Sequence, residues 1–213
     1  MNLITPLVYK NASIGQQASV LDTIHQSEIN IAIYQRDTTA LKEELDMLMV
    51  HAIEFRKSGT PNEINAALQQ YMADKSLACP AVLEDIERQL DLFKRITGEA
   101  AFRMLLTAVN TNMCRRFHTD INIIRLLCTY VGQGTMWLPN DQVNDKAFLT
   151  QGGNEEIVKD ERHIQQVNTG DVLLLKGALY PDGTPIVHRS PTIEETGETR
   201  LLLRIDIDNF LNL

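Results

Sequence analysis

His118 and Asp120 stand two residues apart in the run Cys-Arg-Arg-Phe-His-Thr-Asp at 114–120, and His188 follows at domain-scale distance in Ile-Val-His-Arg-Ser-Pro. On an extended strand, side chains two apart share a face, so His118 and Asp120 can point at one ion. Two imidazoles and one carboxylate on one side of an octahedral metal leave positions open for a co-substrate, dioxygen or water. The same donors also suit zinc, with water as a fourth ligand. Ser190 has no Gly-x-Ser-x-Gly around it, which gives a serine hydrolase no support.

The elements that must position these groups differ between the two halves of the chain. Residues 19–26 read as a short amphipathic helix, and Ile29–Tyr34 alternates like a strand. Thr38 and Thr39 are candidate caps for a helix running to Lys57, with Leu41, Leu45, Leu48 and Ala52 as its stripe and Ser58-Gly59 as its end. Thr60-Pro61 opens a second helix through about Met72. Cys79-Pro80 opens a third, with Leu83, Ile86, Leu90 and Phe93 on one face and Gly98 near its end. These stripes are expected to cover one side of a sheet.

From about Ala101 the texture becomes that of strands. Phe102–Val109 is an apolar run read as a strand, and Ile123–Val131 is another, turned by Gly132 and Gly134 into Thr135–Leu138. Residues 139–162 are polar and read as an exposed loop. Asn168-Thr-Gly170 feeds a strand over Asp171–Lys176, Pro185–His188 forms the next, and Arg200–Ile207 the last. Short strands punctuated by Gly, Pro and Asp indicate a sandwich or jelly-roll.

Bulk composition narrows the classes. The 213 residues are 44% hydrophobic and 23% charged, ordinary for a globular protein with a proper core. The net charge of -8 comes with no long basic stripe, which argues against a nucleic-acid partner. Cys79, Cys114 and Cys128 include no CxxC pair and leave an odd thiol, unlike a disulfide scaffold. No stretch approaches the roughly 20 apolar residues of a membrane helix, and the first residues show no leader pattern, so a cytoplasmic protein without a membrane partner is expected.

In order, the second half reads His118-x-Asp120, a strand and Gly turn, Thr-Gly-Asp into Val-Leu-Leu-Leu, His188, and Gly197-x-x-Arg200-Leu-Leu-Leu-Arg204. That succession resembles the double-stranded β-helix of the iron(II)- and 2-oxoglutarate-dependent oxygenases over roughly residues 100–208. More closely, Cys114–Asp120, Arg125–Pro139, Gly170–Gly177, Val187–Pro191 and Arg200–Asp206 resemble an uncharacterised bacterial family catalogued as domain of unknown function 1826. The oxygenase resemblance implies that His118, Asp120 and His188 hold Fe(II). It also implies that Arg200 pairs with the distal carboxylate of 2-oxoglutarate, with Arg204 in reserve and Tyr130 offering a hydroxyl. A buried dicarboxylate needs a planar, always-charged, bidentate donor. Gly132-Gln-Gly134 stands where many such oxygenases carry a Gly-Gly pair, and Arg189 directly after the distal His is not a standard feature.

The expected architecture is therefore α+β. A mainly helical layer, 1–98, packs on a jelly-roll or cupin-like double-stranded β-helix, 99–213, the two acting as one unit. The expected activity is hydroxylation of a small molecule or a protein side chain. The alternatives are a non-catalytic cupin-like protein that handles zinc or iron, and a metal-free barrel serving as an interaction module. His25, His51 and His163 have no partner spacing and read as structural, Trp137 as core, and Arg115 and Arg116 as a solvated face or as partners of carboxylates near the site mouth.

Overall fold

The computed structural model describes residues 9–208, so residues 1–8, on which part of the leader reading rests, lie outside it. The described residues form ten strands: β1 (Ala12–Gly15), β2 (Ile31–Tyr34), β3 (Glu54–Gly59), β4 (Phe102–Val109), β5 (Ile124–Val131), β6 (Met136–Trp137), β7 (Gln165–Gln166), β8 (Val172–Lys176), β9 (His188–Arg189) and β10 (Arg200–Ile207). Seven of them form one sheet in the order β1-β2-β8-β5-β10-β4-β3, and a second sheet has the order β7-β6-β9. The β1–β2 pair is parallel and the other pairings are antiparallel.

Alternation sends the two faces of the large sheet to different cores. Leu126, Cys128 and Tyr130 of β5, with Leu201, Leu203 and Ile205 of β10, join a large core containing Ile64, Leu68, Ile86, Leu90 and Phe93. Leu127 and Leu202 face the other way and pack with Trp137, Leu173 and Ile186 of the small-sheet side. The metal-site candidates lie on this second side. The expected barrel is thus two unequal facing sheets, and no ladder closes them into a ring among the described strands.

Helix α1 (Lys42–Val50) follows a 3-10 turn over Thr39–Leu41. Helix α2 (Pro61–Asp74) starts on a capping box: the Glu63 N–H donates to Thr60 Oγ1, and the Thr60 N–H donates to Glu63 Oε2. Helix α3 (Pro80–Thr97) ends on Gly98 in the left-handed conformation, as its apolar spacing and terminal glycine predict. Residues before 98 also supply three strands of the large sheet, so helices and strands interleave in this half of the chain.

Three expectations of the fold fail. The strand expected over Pro185–His188 is confined to His188–Arg189. The helix read to Lys57 stops at Val50, Ala52 takes a φ of 44°, and Glu54–Gly59 becomes the edge strand β3 paired with β4. After residue 52 the buried positions are Ile53 and Phe55, a period of two, and the helical stripe has no successor. Residues 139–162 are likewise not a plain exposed loop. They hold α4 (Asp145–Leu149) and α5 (Asn154–Ile157), and Val143, Ile157 and Val158 bury with Phe117, Leu138 and Val187.

A buried ion pair ties α3 to the sheet. Arg36 donates through both Nη atoms to Asp85, at 2.6 and 2.9 Å, and the Tyr130 hydroxyl donates to the same carboxylate at 2.6 Å. Replacing Asp85 with Ala leaves the Arg36 guanidinium buried without its counter-charge. The expected loss is about 3–5 kcal/mol of stability, read as a lower urea midpoint. A loss under about 1 kcal/mol would show that water replaces the carboxylate at no cost.

Candidate metal centre

His118 and His188 face each other across an isolated antiparallel bridge. Each N–H donates to the other's carbonyl, at 3.0 and 2.9 Å, so their side chains leave on the same side. The rings stand 4.6 Å apart between centroids. Each imidazole spends Nδ1 on a nearby carbonyl, that of Arg116 at 2.9 Å for His118 and that of Ile186 at 3.2 Å for His188. In the neutral ring that fixes the proton on Nδ1, so Nε2 is the nitrogen available to a metal. Both Nε2 atoms turn toward Asp120, at 3.6 Å from Oδ1 and 3.4 Å from Oδ2. The ligand atoms of His118, Asp120 and His188 all lie within 4.8 Å of one another, the one group of three metal-ligating side chains found among the described residues.

The supporting structure comes from the segment expected to be a loop. Asn154 Oδ1 accepts from the Phe117 N–H at 2.8 Å, and Asn154 Nδ2 donates to the Arg115 carbonyl at 2.9 Å. Arg116 donates to the carbonyls of Gly152 and Phe148. These contacts pin the backbone just before His118. No local pattern announces Asn154, because its partners lie nearly forty residues away.

Charge is unevenly settled in the cleft. Its walls include Cys114, Arg125, Leu127, Arg189, Arg200 and Leu202 beside the three candidate ligands. The neighbouring Asp120 carboxylate, then the Cys114 thiol, pushes His118 up to about 10. Burial works to raise the Asp120 carboxyl, but the facing rings of His118 and His188 outweigh it and hold it well below the usual range. The His118 ring lowers the Cys114 thiol.

Arg200 is 1% exposed and its guanidinium meets no carboxylate among the described residues. Nη2 donates to Thr129 Oγ1 at 3.0 Å and Nε has no partner. Burial alone pushes its pKa down to about 10. Gly132 makes room for it, since a Cβ there would come within 3.0 Å of Arg200 Cγ and 2.7 Å of the Thr199 carbonyl. Arg204 shares this face, with Nε 3.1 Å from Asp206 Oδ2 but off the hydrogen-bond direction.

Tyr130 is not brought to the cleft. It points to the helical side of β5, where its hydroxyl is bound to Asp85, whereas its neighbour Thr129 takes the opposite face and meets Arg200. Arg125, overlooked in the sequence, lies between Asp120 and Asp206. Its signal was a charged residue on the same alternation as Leu127 and Thr129. His25 binds the Ile96 carbonyl, His51 the Met47 carbonyl, and His163 sits beside Asp160, all away from the triad. Arg115 pairs with Glu194. A larger cavity of about 500 Å³, lined by Asn11, Asn30 and Asn140, contains none of the three candidate ligands.

Residues 15–206 match the family described as "Protein of unknown function (DUF1826)". No curated protein matches the chain. Among solved structures, dioxygenase for auxin oxidation 1 from Arabidopsis thaliana, in a binary complex with 2-oxoglutarate, is 7% identical with a TM-score of 0.52, covering 92% of this chain and 91% of that one. The dioxygenase for auxin oxidation of rice is 11% identical over 92% and 82%, with a TM-score of 0.48. A prolyl-4-hydroxylase from Pseudomonas putida is 13% identical over 89% and 96%, with a TM-score of 0.44. The first likeness carries a shared fold. No helix among the described residues is long and apolar enough to cross a membrane.

Proposed function

The chain belongs to the family described as "Protein of unknown function (DUF1826)", and we propose that it is a non-haem Fe(II) dioxygenase that uses 2-oxoglutarate. His118, Asp120 and His188 hold the metal; Arg200, assisted by Thr129, holds the far carboxylate of the co-substrate. Bound together, iron and 2-oxoglutarate supply the oxidising power to hydroxylate a C–H bond, with dioxygen consumed and succinate and CO₂ released. Leu127 and Leu202 keep that part of the cleft apolar, which strengthens the charge pairing at Arg200. The substrate is a small molecule or a protein side chain. The three free cysteines suit a reducing compartment, and we place the protein in the cytoplasm.

The observation that carries this reading is Arg200. A fully buried guanidinium without a carboxylate is costly unless an anion completes it. It lines the same cleft as two imidazoles and a carboxylate set for one ion. Zinc storage by the same three donors would have no use for that cation.

Anaerobic addition of Fe(II) and then 2-oxoglutarate to the full chain tests the proposal. A weak visible charge-transfer band is expected, followed by succinate release when air is admitted. Tight stoichiometric zinc binding with no band and no succinate would instead establish the non-catalytic metal-handling alternative.

A further inference from the structure

Arg125 of β5 stands directly opposite Asp206 of β10. Its Nε donates to Asp206 Oδ1 at 2.6 Å and Nη2 to Oδ2 at 3.3 Å, while Nη1 donates to Asp120 Oδ2. The planar fork therefore spans two carboxylates at once, which a lysine ammonium cannot do with the same geometry. Asp206 is fixed in turn by Asn122 Nδ2 at 3.3 Å and lies beside Arg204. The side chains of Arg125, Asp206 and Asp120 are 18%, 4% and 11% exposed, so water competes little for these bonds.

The two oxygens of Asp120 consequently differ. Oδ1 faces His118 Nε2, whereas Oδ2 is shared by His188 and Arg125. An ion seated between the imidazoles has Oδ1 free to it, and Oδ2 already carries a charge-assisted bond on its other side. Without Arg125, the carboxylate could turn and present both oxygens, closing a position that a second ligand needs.

We propose that Arg125 is a positioning residue that restricts Asp120 to one metal-facing oxygen and, through Asp206, anchors that carboxylate to β10. The inference rests on the reading of His118, Asp120 and His188 as metal ligands. Partners of this kind orient a ligand as strongly as packing does, and their loss weakens metal binding by about 10–100-fold.

The test uses Co(II) as the probe on the full chain, with affinity from calorimetry and ligand geometry from the visible ligand-field bands. Arg125→Met alone strands Asp206, so the informative variant is Arg125→Met with Asp206→Asn, which removes both charges. Asp206→Asn alone keeps the Arg125–Asp120 bond but loosens its anchor on β10, and is expected to weaken Co(II) binding less than the double variant does. The double variant is expected to bind about 10–100-fold more weakly, with bands altered in position and intensity while its circular dichroism stays native. Arg125→Lys, with Asp206→Asn, returns one donor to Asp120 and is expected to recover part of the affinity. Native affinity and unchanged bands in a folded double variant would overturn the positioning role while leaving the metal centre intact. Failure of the native chain itself to bind Co(II) would remove the metal centre and this role with it.

Discussion

Arg200→Met is expected to raise the melting temperature of the metal-free protein while destroying its affinity for 2-oxoglutarate. The native residue buries a charge that only Thr129 partly satisfies, and burial lowers its pKa to about 10. A methionine fills similar space without that penalty, for a gain of about 1–3 kcal/mol, or a rise of roughly 3–10 °C for a chain of this size. The same change removes the bidentate partner of the co-substrate's far carboxylate, a loss of about 2–5 kcal/mol in binding. Thermal melting and titration of 2-oxoglutarate onto the iron-loaded protein read the two effects separately. Opposite signs in stability and binding mark a residue held for a ligand. A lower melting temperature with unchanged 2-oxoglutarate affinity would make Arg200 a structural residue.

His188→Ala is expected to abolish stoichiometric Fe(II) binding. Three donors within 4.8 Å act as a unit, and removing one leaves a two-point site. His188 is 5% exposed and its bridge to His118 is made by backbone atoms, so the substitution spares the strand pairing. Native binding carries its own signature. Asp120 and Cys114 keep His118 protonated up to about pH 10, and a metal requires the neutral imidazole. Binding at pH 8 is therefore expected to release about one proton per ion, and affinity to climb as pH rises toward 10. For the metal-free fold the sign is reversed: a folded-state pKa raised above the unfolded value stabilises below about 6.5, and that stability fades as pH rises through 10. Calorimetry in two buffers of different ionisation enthalpy measures the proton. Binding by His188→Ala with native affinity would show that the ion sits elsewhere.

Helices α2 and α3 were readable because their determinants are local. The capping box at Thr60 and Glu63 and the glycine after α3 lie within a few residues of what they terminate. The failure at β3 has the opposite origin. Glu54–Gly59 continues an acceptable helical composition, and what converts it is the edge of β4, almost fifty residues away. Residues 139–162 were misread for a related reason, since their few apolar positions bury only against Phe117, Leu138 and Val187.

The donor types and spacing of His118, Asp120 and His188, the alternating strands and the inserted glycines are properties of the chain itself, because each depends on bonds or periodicities a few residues long. Alternation also tells which residues of β5 travel together, but not which set looks toward the metal side. The packing of the helices on Cys128 and Tyr130 decided that, turning Tyr130 away and Arg125 inward. Whether an arginine is paired is likewise invisible in one dimension. Among the described residues Arg204 lies near Asp206 and Arg200 meets no carboxylate, although both sit on the same strand. Strand register and the depth of burial, set by distant parts of the fold, make that difference.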